Sequence, residues 1–256
     1  MPRADTRIAV LVFGRAPGRE RRRLRLGRRA DVRVRTSLLH DTLASVSAGR
    51  DDAGLFFSAD GIDEMREIVR ERGRTSAGNA LGWYWLRQRG RRFGDRLLAA
   101  LRDVAAHGYD RIVVVGTDTP GIRPDDIRRA CAAAPGEIVV GPATDGGVYL
   151  LSVPADAITP LAALPWRDAR LGSELRATFL RLGRSVHSLE VRADVDTPVD
   201  ARRAHGLLAQ LCRLVLGLRL SEAPAVPTTS ADAPRVSVLV CSILPSRAPP
   251  TLRVFA

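Results

Sequence analysis

Three short stretches set carboxylates against apolar runs. The first, "VVVGTDTPGI" over 113–122, drives three valines into Gly116, Asp118 and Pro120. A charge beside an apolar core is costly unless something neutralises or solvates it, so Asp118 needs a partner. The second, "GPATDGGVYLL" over 141–151, puts Asp145 ahead of Gly146 and Gly147 between two apolar runs. The third, "ADVDTPVD" over 193–200, repeats the Asp-Thr-Pro of 118–120, and Asp194 and Asp196 stand two apart. On an extended chain that spacing turns both to one face. Carboxylates at such positions suit a hard divalent cation such as Mg²⁺, held by one or two acids while phosphate and water complete its shell. Each stretch also has a plainer reading. Asp118 could close a turn through its own backbone, Asp145-Gly146-Gly147 has the pattern of a hairpin turn, and Asp194 and Asp196 fit a solvated turn. Functionally, the paired glycines would let backbone approach a ligand closely, leaving Asp145 to bond hydroxyls or sit near a metal.

The elements that must position these acids are legible from apolar periodicity. "RIAVLVFGRAP" is a short buried strand stopped by Gly14 and Pro17. The polar stretch from Gly14 to Arg35 holds ten arginines and two acids and is predicted to run from loop into helix, with Leu39, Leu43 and Val46 on one face. "GLFFSA" predicts a second strand and "DEMREIVRERG" a surface helix ending at Gly73. Residues 74–92 are expected to be loop with a short helix at most. "FGDRLLAALRDVAAHG" is an amphipathic helix, and "RIVVVG" is the continuous apolar run of a strand covered on both faces. A helix opens at Pro124, strands "EIVVGPA" and "VYLLSV" flank the turn at Asp145, residues 167–182 are predicted helical, and "SVHSLEVR" is a strand. Thr197, Pro198 and Asp200 mark the start of a long helix through "TPVDARRAHGLLAQLCRLVL". Strands alternating with helices predict a parallel α/β sheet, and in such sheets ligands bind beyond the carboxyl ends of the strands, where Asp118 falls. Arg15, just past the first strand, stands where a phosphate-binding loop would lie. No P-loop or dinucleotide glycine fingerprint is present.

Composition narrows the rest. All 40 basic residues are arginine, which a coding bias explains, so the net charge of +12 ranks nucleic acid last among partners. Cys131, Cys212 and Cys241 lack metal or disulfide spacing. His40, His107, His187 and His205 are scattered, and Trp83, Tyr84 and Trp85 could stack on a base or anchor a loop equally well. The first apolar run is too short for a signal peptide or a membrane span, so a cytoplasmic protein is expected. The last 36 residues hold six of the sixteen prolines, which predicts a domain over 5–218 and a disordered tail over 219–256. An edge strand or partner-binding segment at "VSVLVCSIL" is the other reading of that tail.

Together "GTDTPGI", "GPATDGGVYLL" and "DVDTPVD" resemble the motif series of a family of glycosyltransferase-A-like proteins labelled radical-SAM/selenodomain-associated transferases. The resemblance spans roughly residues 7–215, and more distantly the chain is similar to molybdenum-cofactor nucleotidyltransferases and phospholactate guanylyltransferase. It implies a nucleotide-diphospho-sugar transferase (GT-A) fold, a three-layer α/β/α sandwich on a mixed, mostly parallel sheet, with Mg²⁺ or Mn²⁺ holding nucleotide phosphates. It further implies Asp118 as main metal ligand and catalytic residue, Asp196 or Asp194 as second ligand, and Asp145 as a catalytic base candidate. Gly146 and Gly147 would face the donor sugar or acceptor, and Arg15 and Gln88 the substrate. The family's first loop, F-A-K-x-P-x-x-G-x-V-K-T-R-L, is here "FGRAPGRERRRLRLG", and its Q-G-x-G-D-L-G-E-R is here "QRGRRFGDR". The implied activity is transfer from a nucleotide sugar or NTP to a small-molecule acceptor. A nucleotidyltransferase releasing pyrophosphate and a non-catalytic descendant of the fold are the alternatives.

Overall fold

The structure is a computed structural model, and its described residues are 6–19, 24–50, 52–75 and 82–200. Among them lie seven strands: β1 (Ile8–Arg15), β2 (Gly54–Asp60), β3 (Trp83–Arg87), β4 (Arg111–Val115), β5 (Ile138–Pro142), β6 (Val148–Pro154) and β7 (Val186–Ser188). Five helices connect them: α1 (Arg28–Gly49), α2 (Ile62–Thr75), α3 (Phe93–Ala106), α4 (Pro124–Cys131) and α5 (Leu171–Arg181). One sheet takes the order β3-β2-β1-β4-β6-β5-β7. All neighbours are parallel except β6, which runs antiparallel to both β4 and β5.

The alternation of side chains across the pleat explains the layers. Ala9, Leu11 and Phe13 of β1 join Ile112 and Val114 of β4 against α3 and α5, through Leu97, Leu101, Leu175 and Phe179. Val10 and Val12, with Val113 and Val115, face the opposite way onto Leu39, Leu43 and Val46 of α1, Met65 of α2 and Ile127 of α4. Every residue of β4 is buried, as a strand covered on both faces requires. This is the expected mixed α/β three-layer sandwich.

Three local expectations are corrected. Residues 83–87, read as loop, form the edge strand β3, where Trp85 stacks on Phe57 and Tyr84 on Phe56 with ring centroids 5.0 and 5.1 Å apart. Successive aromatics grip opposite faces of β2, and the period of two was present in "WYWLR". The helix expected from 167 begins only at Leu171. Arg167 sits at φ +73°, and the Asp168 carboxylate accepts from the Arg170 N–H at 2.9 Å, a local bond that competes with helix. The helix α2 also runs on to Thr75, past Gly73. The expected tail, Cys212, Cys241, His205 and the helix beyond residue 200 lie outside the described residues. Within them, Thr197 and Asp200 already form the reciprocal cap: the Thr197 N–H donates to Asp200 Oδ2 at 2.9 Å and the Asp200 N–H to Thr197 Oγ1 at 3.2 Å. No helix among the described residues is long and apolar enough to cross a membrane.

Candidate active site

Because β6 runs backwards, its amino end lies on the same sheet edge as the carboxyl ends of β1 and β4. The turn that opens β6 carries Asp145. Gly146 holds φ +87°, and a Cβ there would lie 1.8 Å from the Ala169 carbonyl oxygen, so only glycine lets the turn dock on the segment before α5. The Gly172 N–H donates to the Gly146 carbonyl at 2.9 Å and completes that docking. Asp145 Oδ1 accepts from the Gly147 N–H at 2.8 Å, fixing the carboxylate over its own turn. The hairpin-turn reading of these residues is the one the backbone adopts.

After β7 the chain crosses this edge. Arg192 donates its N–H to Pro142 O at 3.1 Å and its carbonyl accepts from Thr144 N at 2.8 Å, and the Val195 N–H reaches Asp118 O at 2.9 Å. The Arg192 side chain pairs with Asp126 of α4 at 2.8 Å, both about one-tenth exposed, and lies 5.7 Å from the centre of the Tyr149 ring. The 190–196 segment is therefore anchored on α4, on the β5–β6 hairpin and on the loop after β4. Val195 is buried, and alternation leaves Asp194 and Asp196 together.

A cavity of about 450 Å³ opens there, lined by Asp145, Gly147, Asp194 and Asp196 together with Gly116, Phe13, Phe93 and Trp166. Thr119 donates its hydroxyl to Asp194 Oδ1. Burial pushes the Asp194 carboxyl up to about 6; the Thr119 bond works against this, while the negative charges of Asp145, Asp196 and Asp200 add to it. Two of the other carboxylates singled out in the sequence, Asp145 and Asp196, thus act on Asp194 across one space.

Asp118 stands differently. Its backbone is part of this junction, but its carboxylate accepts from Arg35 Nη1 of α1 at 3.2 Å, and it is not among the residues lining the cavity. Arg35 is 4% exposed, and its Nη2 has no hydrogen-bond partner among the described residues. Arg15 and Gln88 also lie apart from the lining. Arg15 pairs with Asp60 at 3.3 Å across the ends of β1 and β2. Gln88 donates to Gly14 O at 2.8 Å and to Ser58 O at 3.1 Å, so its amide ties those strands together.

Sequence reasoning missed Arg35, Thr119, Trp166 and Arg192. Arg35 and Arg192 are indistinguishable in sequence from the 38 other arginines among the 40, whereas Trp166 follows Pro165 just where a helix is expected to begin. Gly94 gives Trp166 its room, since a Cβ there would lie 2.3 Å from Trp166 Cδ1.

Comparison with known proteins agrees with this architecture. Residues 42–168 match the family described as "Uncharacterized protein conserved in bacteria (DUF2064)". Among solved structures, the chain is similar to a protein from Desulfovibrio desulfuricans G20 described as a nucleotide-diphospho-sugar transferase. The two share 21% identity over 80% of this chain and 98% of that one, with a TM-score of 0.62. It is also similar to 4-diphosphocytidyl-2C-methyl-D-erythritol synthase from Anaerococcus prevotii DSM 20548, at 12% identity over 80% and 96% of the chains and a TM-score of 0.54. A CMP-2-keto-3-deoxy-manno-octonic acid synthetase complexed with CTP matches at 15% identity over 80% and 100%, TM-score 0.50. At these identities the likeness shows the fold, that of the nucleotide-diphospho-sugar transferases. No curated protein matches.

Proposed function

We propose that this chain is a metal-dependent transferase acting on a nucleotide-activated donor, of the radical-SAM/selenodomain-associated type that its motifs resemble. The observation that carries the reading is the gathering of Asp145, Asp194 and Asp196 around one cavity at the carboxyl edge of the sheet. Burial already disfavours the charged form of Asp194, and the negative charges of Asp145 and Asp196 beside it add to that, an arrangement that a cation would relieve.

The donor set suits a hard divalent ion, being all carboxylate oxygen. Among the described residues no group of three or more His, Cys, Asp or Glu side chains is placed to hold a metal ion, so an ion here would rest on two carboxylates and take the rest of its shell from phosphate and water, as Mg²⁺ commonly does. Asp194 and Asp196 would hold it, and Asp118 would join them only by exchanging its bond with Arg35. When bound, the ion supplies charge neutralisation for a departing diphosphate. The remaining work falls to the chain. Thr119 fixes the orientation of Asp194, Asp145 receives the proton of an acceptor hydroxyl, and the apolar wall of the cavity keeps water from competing with that hydroxyl. Arg15, released from Asp60, would meet phosphate at the end of β1.

The test is a calorimetric titration of UDP-, GDP- and CDP-sugars and of NTPs, with and without Mg²⁺ or Mn²⁺, on the native chain and on Asp196→Ala and Asp118→Ala. Ion-dependent nucleotide binding that is lost in Asp196→Ala is the expected result. Binding of no nucleotide under any condition would leave a non-catalytic descendant of the fold, and pyrophosphate rather than nucleoside diphosphate as product would make the protein a nucleotidyltransferase.

A further inference from the structure

The chain that leads into α5 forms part of the cavity wall, and it does so through a tight turn. The Asp168 N–H donates to the Pro165 carbonyl at 3.1 Å, closing residues 165–168 around Trp166 and Arg167. Arg167 holds φ +73° and Trp166 does not share that sign, a type II pattern whose third residue favours glycine. Among the described residues, Arg25 is the only other non-glycine with positive φ. A Cβ in that region crowds the neighbouring carbonyl, so the conformation persists only where its surroundings enforce it. Here they do so from both sides. The Trp166 backbone N–H donates to Leu164 O and its indole N–H to Leu161 O, both at 2.9 Å. Past the turn, the Asp168 carboxylate accepts from the Arg170 N–H at 2.9 Å, and the Gly172 N–H is bonded to Gly146 O at 2.9 Å.

No contact of the Arg167 side chain offsets that strain. It is exposed and has no hydrogen-bond or ion-pair partner among the described residues, whereas Arg170 three positions on is paired with Asp168 at 3.0 Å. Yet Arg167 lines the cavity, and among the described residues no other basic side chain does. An arginine where glycine would relax the turn, unpartnered and on the cavity wall, is placed for a ligand, and its planar fork offers paired N–H donors to an oxyanion. We propose that Arg167 recognises a phosphate group of the ligand that enters this cavity. The choice of phosphate rests on the transferase reading; the placement of the guanidinium stands without it. Two sources share that chemistry, the donor's diphosphate and a phosphate carried by the acceptor.

Calorimetric titration of the full chain in Mg²⁺ buffer, with inorganic pyrophosphate and with 2-phenylethyl phosphate, separates the two sources. Arg167→Ala is expected to weaken at least one of these probes by about tenfold or more, and Arg167→Lys, which keeps the charge without the fork, to recover part of the loss. Loss on pyrophosphate assigns the residue to the donor and loss on the ester to the acceptor. Arg181→Ala removes the same charge at the far end of α5 and should change either affinity by no more than about twofold, the distance being screened. Arg167→Gly should bind as poorly as Arg167→Ala yet melt no lower than the native chain, because glycine takes positive φ without strain. Neither probe binding the native chain, affinities indifferent to Arg167→Ala, an equal loss in Arg181→Ala, or a glycine variant that melts below the native overturns the inference. CDP- and UDP-sugars are titrated on the same samples. Nucleotide-sugar binding with both probes indifferent to Arg167→Ala sinks this inference alone, and Arg167-dependent phosphate binding with no nucleotide binding sinks the transferase reading alone.

Discussion

Asp194 and Asp118, linked through Thr119, carry opposite expectations for stability. The ordinary carboxyl value of Asp194 is 3.8 and the folded value about 6, so below pH 3.8 the group is protonated in both states and costs nothing. As the pH rises through 6 the folded chain must ionise it against burial and its acidic neighbours, and stability is lost. In the presence of EDTA, Asp194→Asn is expected to stabilise the protein by about 1–2 kcal/mol at pH 7.5, a figure discounted for residual exposure, with the gain gone below pH 3.8. Asp118→Ala removes a carboxylate from buried Arg35 and is expected to destabilise by about 1–2 kcal/mol, the pair being half open to solvent. Urea denaturation at both pH values checks both signs. The acids are legible in sequence because strand ends announce themselves. Their division of labour is not, since nothing in "GTDTP" reveals that an arginine 83 residues upstream reaches Asp118.

Two elements hold the acidic rim, and each has a single weak point. In the hairpin turn it is Gly146: alanine there would need a left-handed backbone and would collide with Ala169, so Gly146→Ala should cost about 2 kcal/mol or more and lower ion affinity with it. In the 190–196 segment it is the Arg192–Asp126 pair, whose removal in Arg192→Ala should cost roughly 3 kcal/mol because it strands a buried carboxylate. Thermal denaturation measures both, and an Arg192→Ala protein that melts with the native one would show that the segment needs no side-chain anchor. The turn itself is readable from Asp-Gly-Gly. The anchor is not, because a crossing segment without regular structure has no period to detect. The same limit explains the approach to α5, where one Asx bond at Asp168 replaces the expected first helical turn. The edge strand β3 does leave a trace in the alternation of "WYWLR", but the glycines on either side of it mimic the composition of a loop.

Across the whole sheet, the all-apolar runs of β1 and β4 mark the centre in the sequence itself, and the helical periods between strands mark the two outer layers. The reversal of β6 is implied only by the shortness of the turn before it. Amide exchange should follow this gradient: Val10–Val12 and Val113–Val115, buried between neighbours on both sides, are expected to exchange most slowly, and Trp83–Arg87 and Val186–Ser188 at the two margins soonest. Protection in β7 equal to that in β4 would contradict the order. The position of Asp194 and Asp196 has a further consequence during synthesis. Hairpin, strands and helices emerge from the ribosome well before these two acids, which then cross the sheet edge from β5 to the loop after β4. A nascent chain halted ahead of residue 190 would therefore own all seven described strands yet neither Asp194 nor Asp196, so the proposed ion site could form only after the sheet.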